Sequence, residues 1–154
     1  MSCLIDRKTL NVPKTILLVD DIAEVRQWIH GELEKLGYDL LEASDGDDAL
    51  VIAELHRGPI DLVITDVAMP RVNGTELVQR LRSLRPHFKV LYISGYPEEL
   101  KRAGLRCDDY IQKPFDIITL TARIELLLRA KEGEENHEML SLQSGAGRVA
   151  RDKC

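Results

Sequence analysis

Short apolar runs alternate along the chain with stretches of helical period. Thr15–Val19 reads Thr-Ile-Leu-Leu-Val, rich in branched side chains, and ends directly in Asp20 and Asp21. A run without polar alternation predicts a strand buried on both faces. Ile22, Val25, Ile29, Leu33 and Leu36 then recur at spacings of three and four residues, one face of a helix that Gly37 ends. Residues 38–43 form a second predicted strand. Residues 44–48 supply a cap and an acidic first turn for a helix to about residue 57, which Gly58-Pro59 breaks. Residues 60–65 are a third strand ending at Asp66. Pro70 and Gly74 frame a loop before a helix over 75–84, which Arg85-Pro86 closes. Residues 89–93 are a fourth strand ending at Ser94. A short helix over 97–103, a fifth strand over 109–112 and a last helix opening at Phe115 or Asp116 follow. That last helix carries Ile117, Leu120, Ile124, Leu127 and Leu128 on its inner face.

Five strand-helix units in one chain of 154 residues predict a single α/β domain, a parallel sheet with helices on both faces. Its expected bounds are 14–130, after a leader over 1–13. From residue 131 the composition turns charged, then small and polar. That tail, 131–154, is too poor in apolar residues for an output domain, and reads as a ragged extension of the last helix or as disordered chain.

Composition narrows the function classes. Lys plus Arg number 21 against 26 Asp plus Glu, a net charge of −5 without a basic block. Direct nucleic-acid binding, which needs clustered positive charge, is not expected. No run approaches the roughly 18 apolar residues of a membrane span, and the start lacks the apolar stretch of a signal peptide. Cys3, Cys107 and Cys154 are scattered, without the spacing of a zinc site or a disulfide framework. Free thiols in a reducing cytoplasm are the expectation.

In an open parallel sheet, ligands bind outside the carboxyl ends of the strands. The residues there are Asp20 and Asp21, Asp66, Ser94 and Lys113. Converging carboxylates repel unless a cation joins them. An open, all-oxygen set suits Mg²⁺, with Mn²⁺ as the alternative, rather than zinc. A nucleophilic carboxylate, a divalent ion, a hydroxyl and a lysine together suit phosphoryl transfer.

Ile16-Leu-Leu-Val-Asp-Asp21, Asp61-Leu-Val-Ile-Thr-Asp-Val-Ala-Met-Pro70, Asn73-Gly74, Ile93-Ser94-Gly95 and Asp109-Tyr-Ile-Gln-Lys-Pro-Phe115 resemble the receiver domain of bacterial response regulators. The resemblance covers about residues 14–129. It implies the flavodoxin-like, doubly wound (βα)5 fold with strand order 2-1-3-4-5. By the same resemblance Asp66 matches the phosphoacceptor, which takes a phosphoryl group from a phosphohistidine on a sensor histidine kinase or phosphotransfer protein. Asp21, Asp66 and the backbone carbonyl of Ala68 match the direct Mg²⁺ ligands, and Asp20 the carboxylate that reaches the ion through water. Ser94 matches the switch hydroxyl, Lys113 the lysine that pairs with the phosphoryl group, and Pro114 a proline that is often cis. Tyr110 matches the aromatic that swings inward when the hydroxyl moves.

The resemblance implies a signalling module rather than an enzyme acting on outside substrates, with output through the face of the fourth helix, fifth strand and fifth helix. Its downstream target is expected to be a protein, and a phosphorylation-linked homodimer is a further expectation. Ser94-Gly95-Tyr96 also resembles receivers fused to hybrid kinases, which keeps open a phosphorelay shuttle or a receiver serving a hybrid kinase in trans. Two positions depart from the commoner pattern. Ala68, two after Asp66, offers no hydrogen bond, and Tyr96, two after Ser94, is placed to shield against water. A dehalogenase-like phosphatase would need a second Asp at position 68, and a flavodoxin-like cofactor carrier a phosphate loop where Asp20-Asp21 stands. Trp28 and Tyr38 are expected as packing residues, Met69 as turn and core, and His30, His56, His87 and His137 as solvated.

Overall fold

The computed structural model describes residues 12–102, 104 and 110–129. The leader up to residue 11, the tail over 131–154, Asp109, His137 and all three cysteines lie outside the described residues. Ten elements alternate: β1 (Thr15–Val19), α1 (Ala23–Lys35), β2 (Asp39–Ala43), α2 (Gly46–Leu55), β3 (Leu62–Asp66), α3 (Gly74–Leu84), β4 (Lys89–Ser94), α4 (Pro97–Arg102), β5 (Tyr110–Gln112) and α5 (Ile117–Arg129). The strands form one parallel sheet in the order β2-β1-β3-β4-β5, as the sequence reading expected.

Period-2 alternation of side chains splits the core into two layers. Leu17, Val19 and Val63 face one side, where they pack with Ala49 and Ala53 of α2, Leu77, Val78 and Leu81 of α3 and Leu100 of α4. Ile16, Leu18 and Ile64 face the other, against Ile29 and Leu33 of α1 and Leu120 and Ile124 of α5. Every residue of β1 and β3 is buried, which is why those runs carry no polar alternation. Each fully buried Leu or Ile contributes roughly 1.5–3 kcal/mol.

Side-chain caps set the helix starts. Asp45 accepts from the Asp48 amide at 2.7 Å ahead of α2, so Asp45 is the cap within the predicted 44–48 stretch. Asn73 accepts from the Glu76 amide at 2.8 Å ahead of α3. At its far end α2 stops at Leu55, two residues short of the predicted limit. Arg85 takes its carbonyls there, donating to Ala53 O at 3.0 Å, to Gly58 O at 2.8 Å and to His56 O.

Three expectations for side chains need correction. Ile22 and Leu36, predicted on the inner face of α1, are 45% and 58% exposed. Each sits just outside the helix, Ile22 in an extended conformation, so neither keeps its phase. Trp28 is 41% exposed, its ring 5.8 Å from that of Phe115. His30 is not solvated: its Nδ1 lies against Glu42 Oε2. Tyr38 and Met69 pack against the core as expected.

Candidate functional site

The sheet order changes direction between β1 and β3, since β2 lies on one side of β1 and β3 on the other. Loops leaving the carboxyl ends of these two strands diverge there and open a crevice. Asp20 and Asp21 leave β1 into it, and Asp66 ends β3 beside them. Carboxylate oxygens of the three residues lie within 4.8 Å of one another.

Each carboxylate is held differently. Asp20 is 1% exposed. Its Oδ1 accepts from the Ile22 amide at 2.8 Å, while Oδ2 is buried without a hydrogen-bond partner, 3.8 Å from Lys113 Nζ. Burial raises the Asp20 carboxyl above its ordinary value, and the neighbouring Asp66 and Asp21 charges add to this against the opposing Ile22 amide and Lys113. Asp66 is 6% exposed. Its Oδ1 accepts from the Ala68 amide at 3.1 Å and its Oδ2 from Lys113 Nζ at 2.9 Å. Asp21 is exposed at the mouth.

Lys113 follows β5, and its amide donates to Ser94 O at 2.8 Å, which brings the ends of β4 and β5 together. The Lys113-Pro114 peptide is cis. Burial alone would lower the Lys113 ammonium. The Asp66 hydrogen bond and the charges of Asp20, Asp66 and Asp21 outweigh it and raise the group above its ordinary value. Among the described residues, the Lys113 ammonium is the side-chain cation paired with these carboxylates, and the three carboxylates outnumber it. The donors are all oxygen, and the buried Asp20 Oδ2 lacks a proton donor. This set fits a hard divalent cation such as Mg²⁺.

Ser94 reaches the same strand ends at 1% exposure, but its hydroxyl is turned onto its own loop. Oγ accepts from the Tyr96 amide at 2.9 Å and donates to Tyr96 O at 3.2 Å. Ala68 and Tyr96 are both exposed. Tyr110 is buried, packed in the layer that holds Tyr92 and Leu100.

Three supporting residues escaped the sequence reading. Thr65 Oγ1 donates to Asp66 O at 2.9 Å. Gly74 was read as a loop frame and as part of the Asn73-Gly74 motif, without a packing role, yet it packs on that carbonyl: a Cβ there would come 2.4 Å from Asp66 O. Arg26 donates through Nη1 to Asp20 O at 2.7 Å. Only Gly74 had a local signal, following a potential cap, Asn73, at a helix start.

Residues 16–125 match the family model described as the response regulator receiver domain. The chain is 36% identical over 122 residues to the alkaline phosphatase synthesis transcriptional regulatory protein PhoP of Bacillus subtilis, covering 77% of this chain and 50% of PhoP. The solved receiver domain of the hybrid histidine kinase CckA superposes with a TM-score of 0.64 at 38% identity, covering 74% of this chain and 98% of that one. The response regulator TrrA of Thermotoga maritima, solved in complex with Mg²⁺-BeF, gives 0.62 at 30% identity, covering 74% and 98%. With a parallel five-stranded sheet and an acidic crevice at its switch point, the chain belongs to the response regulator receiver domain family. It spans about half the length of the PhoP regulator.

Proposed function

We propose that the chain is the phosphoacceptor of a two-component system, with Asp66 as the acceptor. The observation that carries this is the surrounding of Asp66: a buried carboxylate with Lys113 Nζ 2.9 Å from one oxygen, beside Asp20 and Asp21. An Asp66 oxygen attacks the phosphorus of a phosphohistidine on a sensor histidine kinase or phosphotransfer protein. The new O–P bond forms as the P–N bond breaks, and the electron pair leaves with the imidazole. Asp20, Asp21, Asp66 and the Ala68 carbonyl would hold Mg²⁺, which when bound supplies positive charge against the transferring oxygens. Lys113 adds a second positive charge, and Ser94 a hydroxyl donor once it leaves Tyr96. The chemistry of the chain is its own phosphorylation and dephosphorylation at Asp66.

The output we infer is altered affinity for a protein target at the face of α4, β5 and α5, with self-association through that face as a variant of the same event. A cytoplasmic location belongs to this reading. A second reading, a shuttle or a receiver serving a hybrid kinase in trans, is favoured by 38% identity to the CckA receiver domain and by Ser94-Gly95-Tyr96. Asp66→Asn separates acceptor from bystander. With the fold intact, the variant should take no label from a phosphorylated kinase or a small phosphodonor. A base-labile phosphoryl group on that variant overturns the assignment.

A further inference from the structure

Among the described residues near the crevice, Arg26 is a strong donor that the reaction above does not use. It lies on α1, its side chain 16% exposed. Nη1 donates to the main-chain carbonyl of Asp20 at 2.7 Å, and Nε donates to Glu42 Oε1 on β2 at 2.9 Å. The His30 ring, one helical turn further along α1, lies against the other Glu42 oxygen.

The carbonyl it grips occupies a critical place. The ladder between β1 and β3 ends at Val19↔Thr65 and the ladder to β2 at Val19↔Ala43, so Asp20 O falls beyond both. The Asp20 amide reaches Ala43 O at a long 3.3 Å, and Ile22, the residue before α1, provides no side-chain cap. Apart from the Ile22 amide on Asp20 Oδ1, the turn that delivers two carboxylates has little else to define it. The Asp20 carbonyl belongs to the peptide unit joining Asp20 to Asp21. Fixing that plane fixes the direction from which both carboxylates depart.

We propose that Arg26, anchored by Glu42, is a positioning residue for the acidic crevice: it locks the Asp20-Asp21 peptide so that both carboxylates reach one cation. The guanidinium suits this task because its planar fork binds a carbonyl and a carboxylate at once. Glu42 balances its charge, so the pair orients the turn without adding net positive charge beside the cation. A charge-only role for Arg26 makes the opposite prediction, since removing a nearby positive charge would tighten cation binding. The inference rests on the reading of Asp20, Asp21 and Asp66 as a Mg²⁺ site.

The test is Mg²⁺ binding to the full chain by calorimetry, alongside thermal unfolding without Mg²⁺ and the amide resonances of Asp21 and Ile22. Arg26→Met should weaken Mg²⁺ binding roughly 10–100-fold, the usual effect of losing a partner that orients metal ligands. It should also displace the Asp21 and Ile22 amides while the chain stays folded. Arg26→Lys keeps the charge without the fork and should recover only part of the affinity. Glu42→Gln should weaken binding less than Arg26→Met, and the two changes should not add. Unchanged or tighter Mg²⁺ binding by folded Arg26→Met overturns the proposal. If Arg26→Met does not fold, wild-type affinity in both Arg26→Lys and Glu42→Gln overturns it equally. A wild-type chain that binds no Mg²⁺ sinks the cation reading itself, and the positioning role with it.

Discussion

The Ser94 hydroxyl is occupied by Tyr96: Oγ accepts from the Tyr96 amide at 2.9 Å and donates to its carbonyl at 3.2 Å. A switch that uses this hydroxyl must exchange those bonds. Neutral hydrogen bonds of this kind contribute about 1 kcal/mol each, and a bond to an anionic oxygen is roughly twice as strong. A phosphoryl group on Asp66, with about −1.5 to −2 charge, therefore gains where only the donated bond to Tyr96 O is exchanged, and breaks even where both bonds are lost.

Ser94→Ala should leave Asp66 able to accept phosphoryl but uncouple it from the α4–β5–α5 face. Phosphorylation should persist while the linked change around Tyr110, read by NMR or by partner affinity, is lost or much reduced. Coupling of this type is typically about 1–3 kcal/mol. A phosphorylated Ser94→Ala chain that still responds as the wild type does would exclude Ser94 from the switch.

Gly74→Ala pits two effects against each other. Alanine inside a helix is favoured over glycine by about 1 kcal/mol, an upper bound here because Gly74 is the first residue of α3. Here the added Cβ would lie 2.4 Å from Asp66 O and 3.0 Å from Val67 Cα, both backbone atoms that cannot swing aside. Overpacking against such neighbours costs roughly 1–3 kcal/mol, so the clash should win. Urea denaturation should show a less stable protein, with slower labelling of Asp66 because the acceptor strand is what moves. A more stable Gly74→Ala chain would mean that the close approach does not hold in solution.

Asp116 provides a pH-dependent test of the α5 start. Its Oδ1 accepts from the Thr119 amide at 2.8 Å, and this bond, followed by the Thr119 hydroxyl, holds the carboxyl below its ordinary 3.8. The folded state thus binds the proton less readily than the unfolded one. The contribution is complete above about 3.8 and is lost as pH falls through the lowered folded value. Chemical denaturation should find Asp116→Ala less stable than wild type near neutrality, with the gap closing as pH falls through that lowered value. Asp116→Asn, an acceptor that does not titrate, should retain part of its advantage over Asp116→Ala in acid. A wild-type-to-alanine gap equal above and below that value would contradict the cap.

Most of the architecture was legible in the pattern of residues. The stretches Ile16–Val19 and Leu62–Ile64 are apolar throughout because both strands lie inside the sheet with helices on both faces. Asp20, Asp21, Asp66, Ser94 and Lys113 each directly followed a predicted strand, so a parallel sheet had to bring them to one edge. Helix ends were less legible. Ile22 and Leu36 fit the spacing of α1, yet spacing says nothing about where helical backbone stops.

What the sequence by itself determined is the strand-helix alternation, the two-sided burial of the sheet and the identity of the groups at its carboxyl edge. These follow from local hydrophobic period and from chain order. Tertiary structure alone decided how those groups are held. Arg26 reaches Asp20 O only because α1 folds back over the end of β1, and it finds Glu42 only because β2 pairs beside β1. Gly74 is needed because α3 begins against the backbone of Asp66, and Ser94 faces Tyr96 because the turn after β4 folds onto its own hydroxyl. Contacts of this kind join backbone atoms to residues on other elements, and a backbone carbonyl has no letter in the sequence.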